Sequence, residues 1–117
     1  MKKLNKDSVE NDGRTTVVEN GSIEELTAQL RNNIVHMFYR KKDGTLREAY
    51  GTLNFSYVPV LYWPAGHRQK RDYLVNYWDM EAGGWRAFQK TRFEYFIENE
   101  PLEIIVKHLF TYSAETL

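Results

Sequence analysis

The period of the apolar positions changes along this chain, and each change marks an element. Residues 1 to 20 are polar and mixed in charge, with Gly13 and no sustained apolar pattern, and predict a flexible arm. A short extended piece is expected within it at Thr15-Thr16-Val17-Val18. Ser22-Ile23-Glu24-Glu25 has the form of a capping box: the hydroxyl accepts from the N–H three residues on, and Glu25 reaches back. Ile23, Leu26 and Leu30 then recur at helical spacing. They predict a short amphipathic helix over 22–31, ended by Asn32-Asn33.

From Ile34 the pattern becomes that of strands. Ile34 to Tyr39 is a nearly continuous apolar run, Lys42-Asp43-Gly44-Thr45 interrupts it, and Leu46 to Leu53 resumes. Asp-Gly between two such runs predicts a hairpin with a primed turn, because glycine takes positive φ without a Cβ clash. Strands are expected at 33–41 and 45–54. Pro59, Pro64 and Gly66 make 55–72 a long loop, since each proline removes a ladder donor. Tyr73 to Trp78 is strand-like, Glu81-Ala82-Gly83-Gly84 is a turn, and Trp85 to Gln89 alternates at period two. A fifth strand or a single 3₁₀ turn is expected within 91–97. In the last stretch Pro101, Leu102, Ile105, Val106 and Leu109 favour a helix, whereas the β-branched run Ile104-Ile105-Val106 favours a strand. The balance tips to helix. About five short strands joined by tight turns predict a mainly β fold, a small SH3-like or Sm-like barrel with flanking helices. The expected division is an arm over 1–20, a barrel with its leading helix over 21–98, and an extension packed on the barrel over 99–117.

Composition narrows the class. At 117 residues and 42% apolar content the chain supports one core without staples, and 15% aromatics suit pleated strands. The absence of cysteine removes disulfides, thiolate zinc sites and cysteine nucleophiles. With no apolar run behind its basic start and no membrane-length segment, the chain is expected to be cytoplasmic, without membrane contact. Net charge is zero, but residues 33–97 carry ten Lys/Arg against six Asp/Glu, while residues 98–117 carry one against four. That surplus of positive charge is too mild for a dedicated nucleic-acid binder.

Two spaced motifs then carry a family resemblance. Arg40-Lys41-Lys42-Asp43-Gly44-Thr45-Leu46-Arg47 runs on to Gly51-Thr52-Leu53-Asn54. Tyr77-Trp78-Asp79-Met80-Glu81-Ala82-Gly83-Gly84-Trp85-Arg86-Ala87-Phe88 follows downstream. Together they resemble a family of small bacterial and phage proteins with an Sm-like SH3 β-barrel fold, linked to WYL-type domains. The resemblance spans about residues 34–95. It implies a fold and a prokaryotic or phage setting and does not imply a biochemical role.

No catalytic constellation stands out. His36, His67 and His108 lack metal-ligand spacing, Gly83-Gly84 lacks the lysine and helix of a phosphate loop, and no nucleophile elbow is present. No catalytic residue, metal or cofactor is therefore expected. The most suggestive stretch is Tyr57 to Arg71, where aromatics precede a basic cluster. Trp63 with Arg68, Lys70 and Arg71 combines a stacking face with phosphate-neutralising charge, the requirement for single-stranded nucleic acid. The simpler reading is that Tyr62 and Trp63 cover the barrel while the cations are solvated. Arg40, Lys41, Lys42 and Arg47 form a basic hairpin tip that solubility alone explains. Trp78, Trp85 and Phe88 are expected in the core or its lid, with a tryptophan at a barrel mouth also fit to serve as a ligand wall. Arg86 should point away from Trp85, toward solvent or a groove. Two partners remain open: nucleic acid or a small ligand at the loop, or a host protein, which the aromatic-rich, neutral composition also suits.

Overall fold

A computed structural model describes residues 18–65 and 71–115. In chain order the elements are β1 (Val18–Asn20), α1 (Ile23–Asn32), β2 (Val35–Arg40), β3 (Leu46–Thr52), 3₁₀ turns at Phe55–Tyr57 and Val60–Tyr62, β4 (Leu74–Asp79), β5 (Gly84–Gln89), a 3₁₀ turn at Lys90–Arg92, β6 (Phe93–Glu98) and α2 (Leu102–Glu115). The strands form one sheet of six, ordered β1-β6-β2-β3-β4-β5, with every pairing antiparallel. The sixth strand, beyond the five expected, is β1. The end of the supposed arm pairs Val18 with Glu98 and Asn20 with Phe96.

The sheet is rolled. In a flat sheet β2 and β5 would stand about 14 Å apart, three strand spacings. Instead the rings of Tyr39 in β2 and Phe88 in β5 stack at 4.1 Å. The hydroxyls of Tyr39 and Tyr77 meet at 2.7 Å across the same interior. Phe88 in turn stacks on Phe93 at 6.2 Å across the 3₁₀ corner between β5 and β6, so side chains close the barrel there. Period two selects the interior: Val35, Met37 and Tyr39 of β2, Ala49 of β3, Val75 and Tyr77 of β4, Phe88 of β5 and Phe96 of β6 are all buried. Leu26 and Leu30 of α1 are wholly buried in the same cluster. Burying each such side chain stabilises the fold by about 1.5–3 kcal/mol. Gly51 is required by closeness, because a Cβ there would lie 2.4 Å from the Tyr77 ring.

Local chemistry departs from expectation in two places. Ser22 caps α1 as predicted, its hydroxyl accepting from Glu25 N at 3.2 Å. Glu25 does not reach back. Asn20 takes that role, its Oδ1 accepting from Ser22 N at 2.8 Å, while its amide donates to Glu25 and Glu98. The β2–β3 hairpin is likewise not a two-residue primed turn. Gly44 N donates to Lys41 O at 2.9 Å, Gly44 alone has positive φ (90°), and Thr45 O accepts from Lys41 N. This is a type I turn followed by a left-handed glycine. Asp43 keeps negative φ and uses its carboxylate to accept from Thr45 N and Oγ1, which holds its pKa below the usual carboxylate value.

The C-terminal stretch is a helix. Burial of Ile105 against Ile34 and Tyr50, with Tyr57, Met80 and Leu109 around them, outweighs the β-branched bias of Ile104-Ile105-Val106. Polar contacts fasten the same face. His36 lies between Glu100 (Nδ1, 2.7 Å) and Glu48 (Nε2, 2.6 Å), and His108 of α2 meets Glu81 at 2.8 Å. Tyr50 is stacked between the two imidazoles, at 4.3 and 4.6 Å. Burial first, then Glu100, Glu48 and Glu81, push its phenol up to about 12. No helix among the described residues is long and apolar enough to cross a membrane.

Candidate functional site

The β4–β5 ribbon carries two unlike surfaces on its two faces. Its outward residues, Trp78 and Trp85, face each other across the pair, edge to face at 5.5 Å. The 55–65 loop folds over them. Asn54 caps its first 3₁₀ turn by accepting from Ser56 N and anchors it by donating to Asn32 O, both at 2.9 Å. Tyr62 lies 5.3 Å from Trp78, and Phe55 bridges Trp63 (5.5 Å) and Trp85 (6.2 Å). Trp85 Nε1 donates to Tyr62 O and Trp63 Nε1 to Val58 O, each at 2.8 Å. Both indole N–H groups are thus satisfied within the protein, and the shelf offers ring faces and aliphatic surface outward. Val60 and Leu61 are 72% and 86% exposed, and Tyr62 and Trp63 50% and 43%. Trp78 is buried beneath this shelf, whereas Trp85 is only half-buried and belongs to the outer face instead of the interior core.

Of the loop cations expected beside Trp63, Arg68 and Lys70 lie outside the described residues, as does His67. Arg71 is exposed, and its guanidinium donates to the hydroxyl of the exposed Tyr73 at 3.4 Å. Arg86 is not part of the shelf. Strand alternation sends it to the opposite face of β5, away from Trp85 as predicted, where its Nε lies 3.1 Å from Asp79 Oδ2. Trp63 and Arg86 are therefore on different faces of one ribbon.

Inward at that face is a charged group that sequence reading assembled only in part. Asp79, at the end of β4, is almost wholly buried. Its Oδ1 accepts from Glu81 N and Ala82 N at 2.9 Å each, closing the β4–β5 turn. Its Oδ2 faces Arg86 and, at 3.9 Å, Nη2 of Arg47. Register sets Arg47 opposite Tyr39 and Arg86 opposite Tyr77, so both cations share the inner face with the tyrosine pair. Burial first, then the hydrogen bond to Tyr39, raise the Tyr77 pKa well above the ordinary phenol value, so its hydroxyl keeps its proton. Arg47 Nε is buried and has no hydrogen-bond partner among the described residues. The missed members, Asp79, Tyr39 and Tyr77, shared one legible signal: each has the inward parity of its strand.

Among the described residues no group of three or more His, Cys, Asp or Glu is placed to hold a metal ion. The geometry assembles two surfaces of different chemistry. One is apolar and aromatic, and the other cationic around a buried carboxylate. No curated protein and no solved structure matches the chain. A family model does, described as WYL_2, Sm-like SH3 beta-barrel fold, over residues 23–94. The match begins at Ile23, so α1 is part of the family unit, in contrast to the expectation that only 34–95 belonged to it. It takes in the shelf, Arg47, Asp79 and Arg86, and it ends before α2. With more than half of its length matched and a rolled antiparallel sheet of the corresponding kind, the chain belongs to the WYL_2 family of Sm-like SH3 β-barrels.

Proposed function

We propose that this protein is a non-enzymatic binding module, acting in a bacterial or phage cytoplasm, that holds single-stranded nucleic acid on the 55–72 loop. The observation that carries this reading is the pair of half-exposed rings, Tyr62 and Trp63, fixed in place and followed by the cations Arg68, Lys70 and Arg71. An aromatic face pre-set on a rigid barrel loses little entropy when a base stacks on it, about 1–3 kcal/mol being gained per base. The neighbouring cations neutralise phosphates. Trp63→Ala should weaken binding of a short oligothymidylate about tenfold or more, read by fluorescence anisotropy of a labelled strand. Unchanged affinity in that variant overturns the reading.

A second reading, docking of a host protein, is favoured by Val60 and Leu61. These are the most exposed apolar side chains of the shelf, and aliphatic groups contribute little to base stacking. Leu61→Ser separates the two. It leaves oligonucleotide affinity intact under the first reading and abolishes partner binding under the second.

A further inference from the structure

We propose that the inner face at the β4–β5 turn is a phosphate seat, in which Arg47 and Arg86 grip an oxyanion beside Asp79. The site is independent of the loop reading, since it lies on the other face of the ribbon and shares no residue with the shelf. Three observations point to it.

The first is charge. Two guanidiniums, 27% and 40% exposed, converge on one buried carboxylate, which leaves one positive charge in excess at a position open to solvent. The second is unused donor capacity. Asp79 spends Oδ1 on the turn, and Oδ2 is shared by both arginines, with Arg47 beyond hydrogen-bond distance at 3.9 Å. The Arg47 side chain is 27% exposed, but its Nε is buried and has no hydrogen-bond partner among the described residues. A buried N–H left without an acceptor is costly, and a folded protein that keeps one calls for an explanation, of which a bound anion is one. The third is access. Gly84 stands directly opposite Asp79 on β5, and a Cβ there would meet nothing within 4 Å, so the space beside the carboxylate is open.

The chemistry selects a phosphate group over a carboxylate. Arg47 comes from β3 and Arg86 from β5, so two planar forks reach the site from different strands. A tetrahedral phosphate, with several acceptor oxygens, can take both, whereas a flat carboxylate matches one fork at a time. A phosphodiester or a singly charged monoester also balances the one excess positive charge. Asp79, paired with Arg86 and facing Arg47, draws the two guanidiniums to one place.

The test uses ¹⁵N-labelled full-length protein and the arginine Nε–Hε resonances, titrated with inorganic phosphate at constant ionic strength, with sodium acetate as the carboxylate arm. Saturable shifts at Arg47 and Arg86, absent at half-buried Arg92, which donates to Lys41 O, are expected with phosphate and much weaker ones with acetate. Arg47→Met and Arg86→Met should each weaken phosphate binding about tenfold or more, the loss expected for a hydrogen bond to a charged group. Arg47→Met removes a buried unpaired N–H and should fold. Arg47→Lys keeps the charge without the fork and provides a second variant, with the same expected loss. Trp63→Ala should leave the phosphate response intact, so that failure of the seat and failure of the loop reading are distinguishable. Equal responses to phosphate and acetate, an unsaturated drift shared with Arg92, or full retention of the response in Arg47→Met and Arg47→Lys would overturn the proposal.

Discussion

The two faces of the β4–β5 ribbon are built from neighbouring residues and have opposite chemistry. Trp78 lies between Tyr77 and Asp79, and Trp85 precedes Arg86, so each step along the chain changes the surface it serves. On the shelf the indoles of Trp63 and Trp85 donate to loop carbonyls, and what they present outward is π surface beside the aliphatic carbon of Val60 and Leu61. The inner face has spent its acceptor and kept its donors, Asp79 being fully engaged while Arg47 is not. One face is thus suited to stacking and shape, the other to charge. Binding capacity lies in the groups that folding leaves unsatisfied, and exposure alone does not locate them.

The comparison can be broken most severely at Asp79. Asp79→Ala leaves two inward arginines without a counterion and two turn N–H groups without an acceptor. It should cost about 2–4 kcal/mol, about 1–2 for each turn N–H left without an acceptor, since the partly exposed arginines are free to be solvated, read from the urea midpoint. A loss below about 1 kcal/mol would mean that the carboxylate is better solvated than its burial implies.

Trp85→Ala sharpens the other face. Its ring is half-buried on the shelf, so the cost should be smaller than that of Phe88→Ala in the interior, for which about 3–5 kcal/mol is expected. The reverse order would return Trp85 to the core. Gly51→Ala should cost about 1–3 kcal/mol by overpacking, because the new Cβ lies 2.4 Å from the Tyr77 ring that supports the inner face.

Tyr50 gives a pH-dependent effect of smaller size. Its phenol is raised from 10.0 to about 12 in the folded state, so the unfolded chain loses this proton first. The contribution is fully present below pH 10 and is lost as pH rises through about 12. A Tyr50→Phe variant should therefore show a flatter fall of stability with pH across that interval. The smallest effect belongs to Arg47→Met, for which stability should stay level or rise, since an unpaired buried donor disappears.

Much of the fold was legible because most elements obey one period each. Ile23, Leu26 and Leu30 place α1, and alternation through Val35, Met37 and Tyr39 places β2 and the interior. What was not legible depended on partners distant in sequence. β1 is three residues of weak pattern that become a strand because β6 offers an edge. Asn20 displaced Glu25 from the capping box because the same strand pairing brought it to the helix end. In α2 the helix expected from Pro101 and the apolar spacing is present, and the burial of Ile105 under Ile34 and Tyr50 that outweighs the β-branched run could not be read from the sequence. For the site, Trp63 and Arg86 were both visible as candidates, but alternation across a rolled sheet was needed to separate them. Asp79 escaped notice because a lone carboxylate before a turn reads as solvated until the register shows what faces it.

The functional account is tested most directly by the salt dependence of oligothymidylate binding. The measurement compares the parent with a variant in which Arg68, Lys70 and Arg71 are replaced by alanine. The parent should bind with log K falling linearly in log salt, and the triple variant should bind more weakly with a slope reduced by about 2, at about 0.7 per single-strand phosphate contact. No binding at low salt, or an identical slope in the two proteins, would contradict the account.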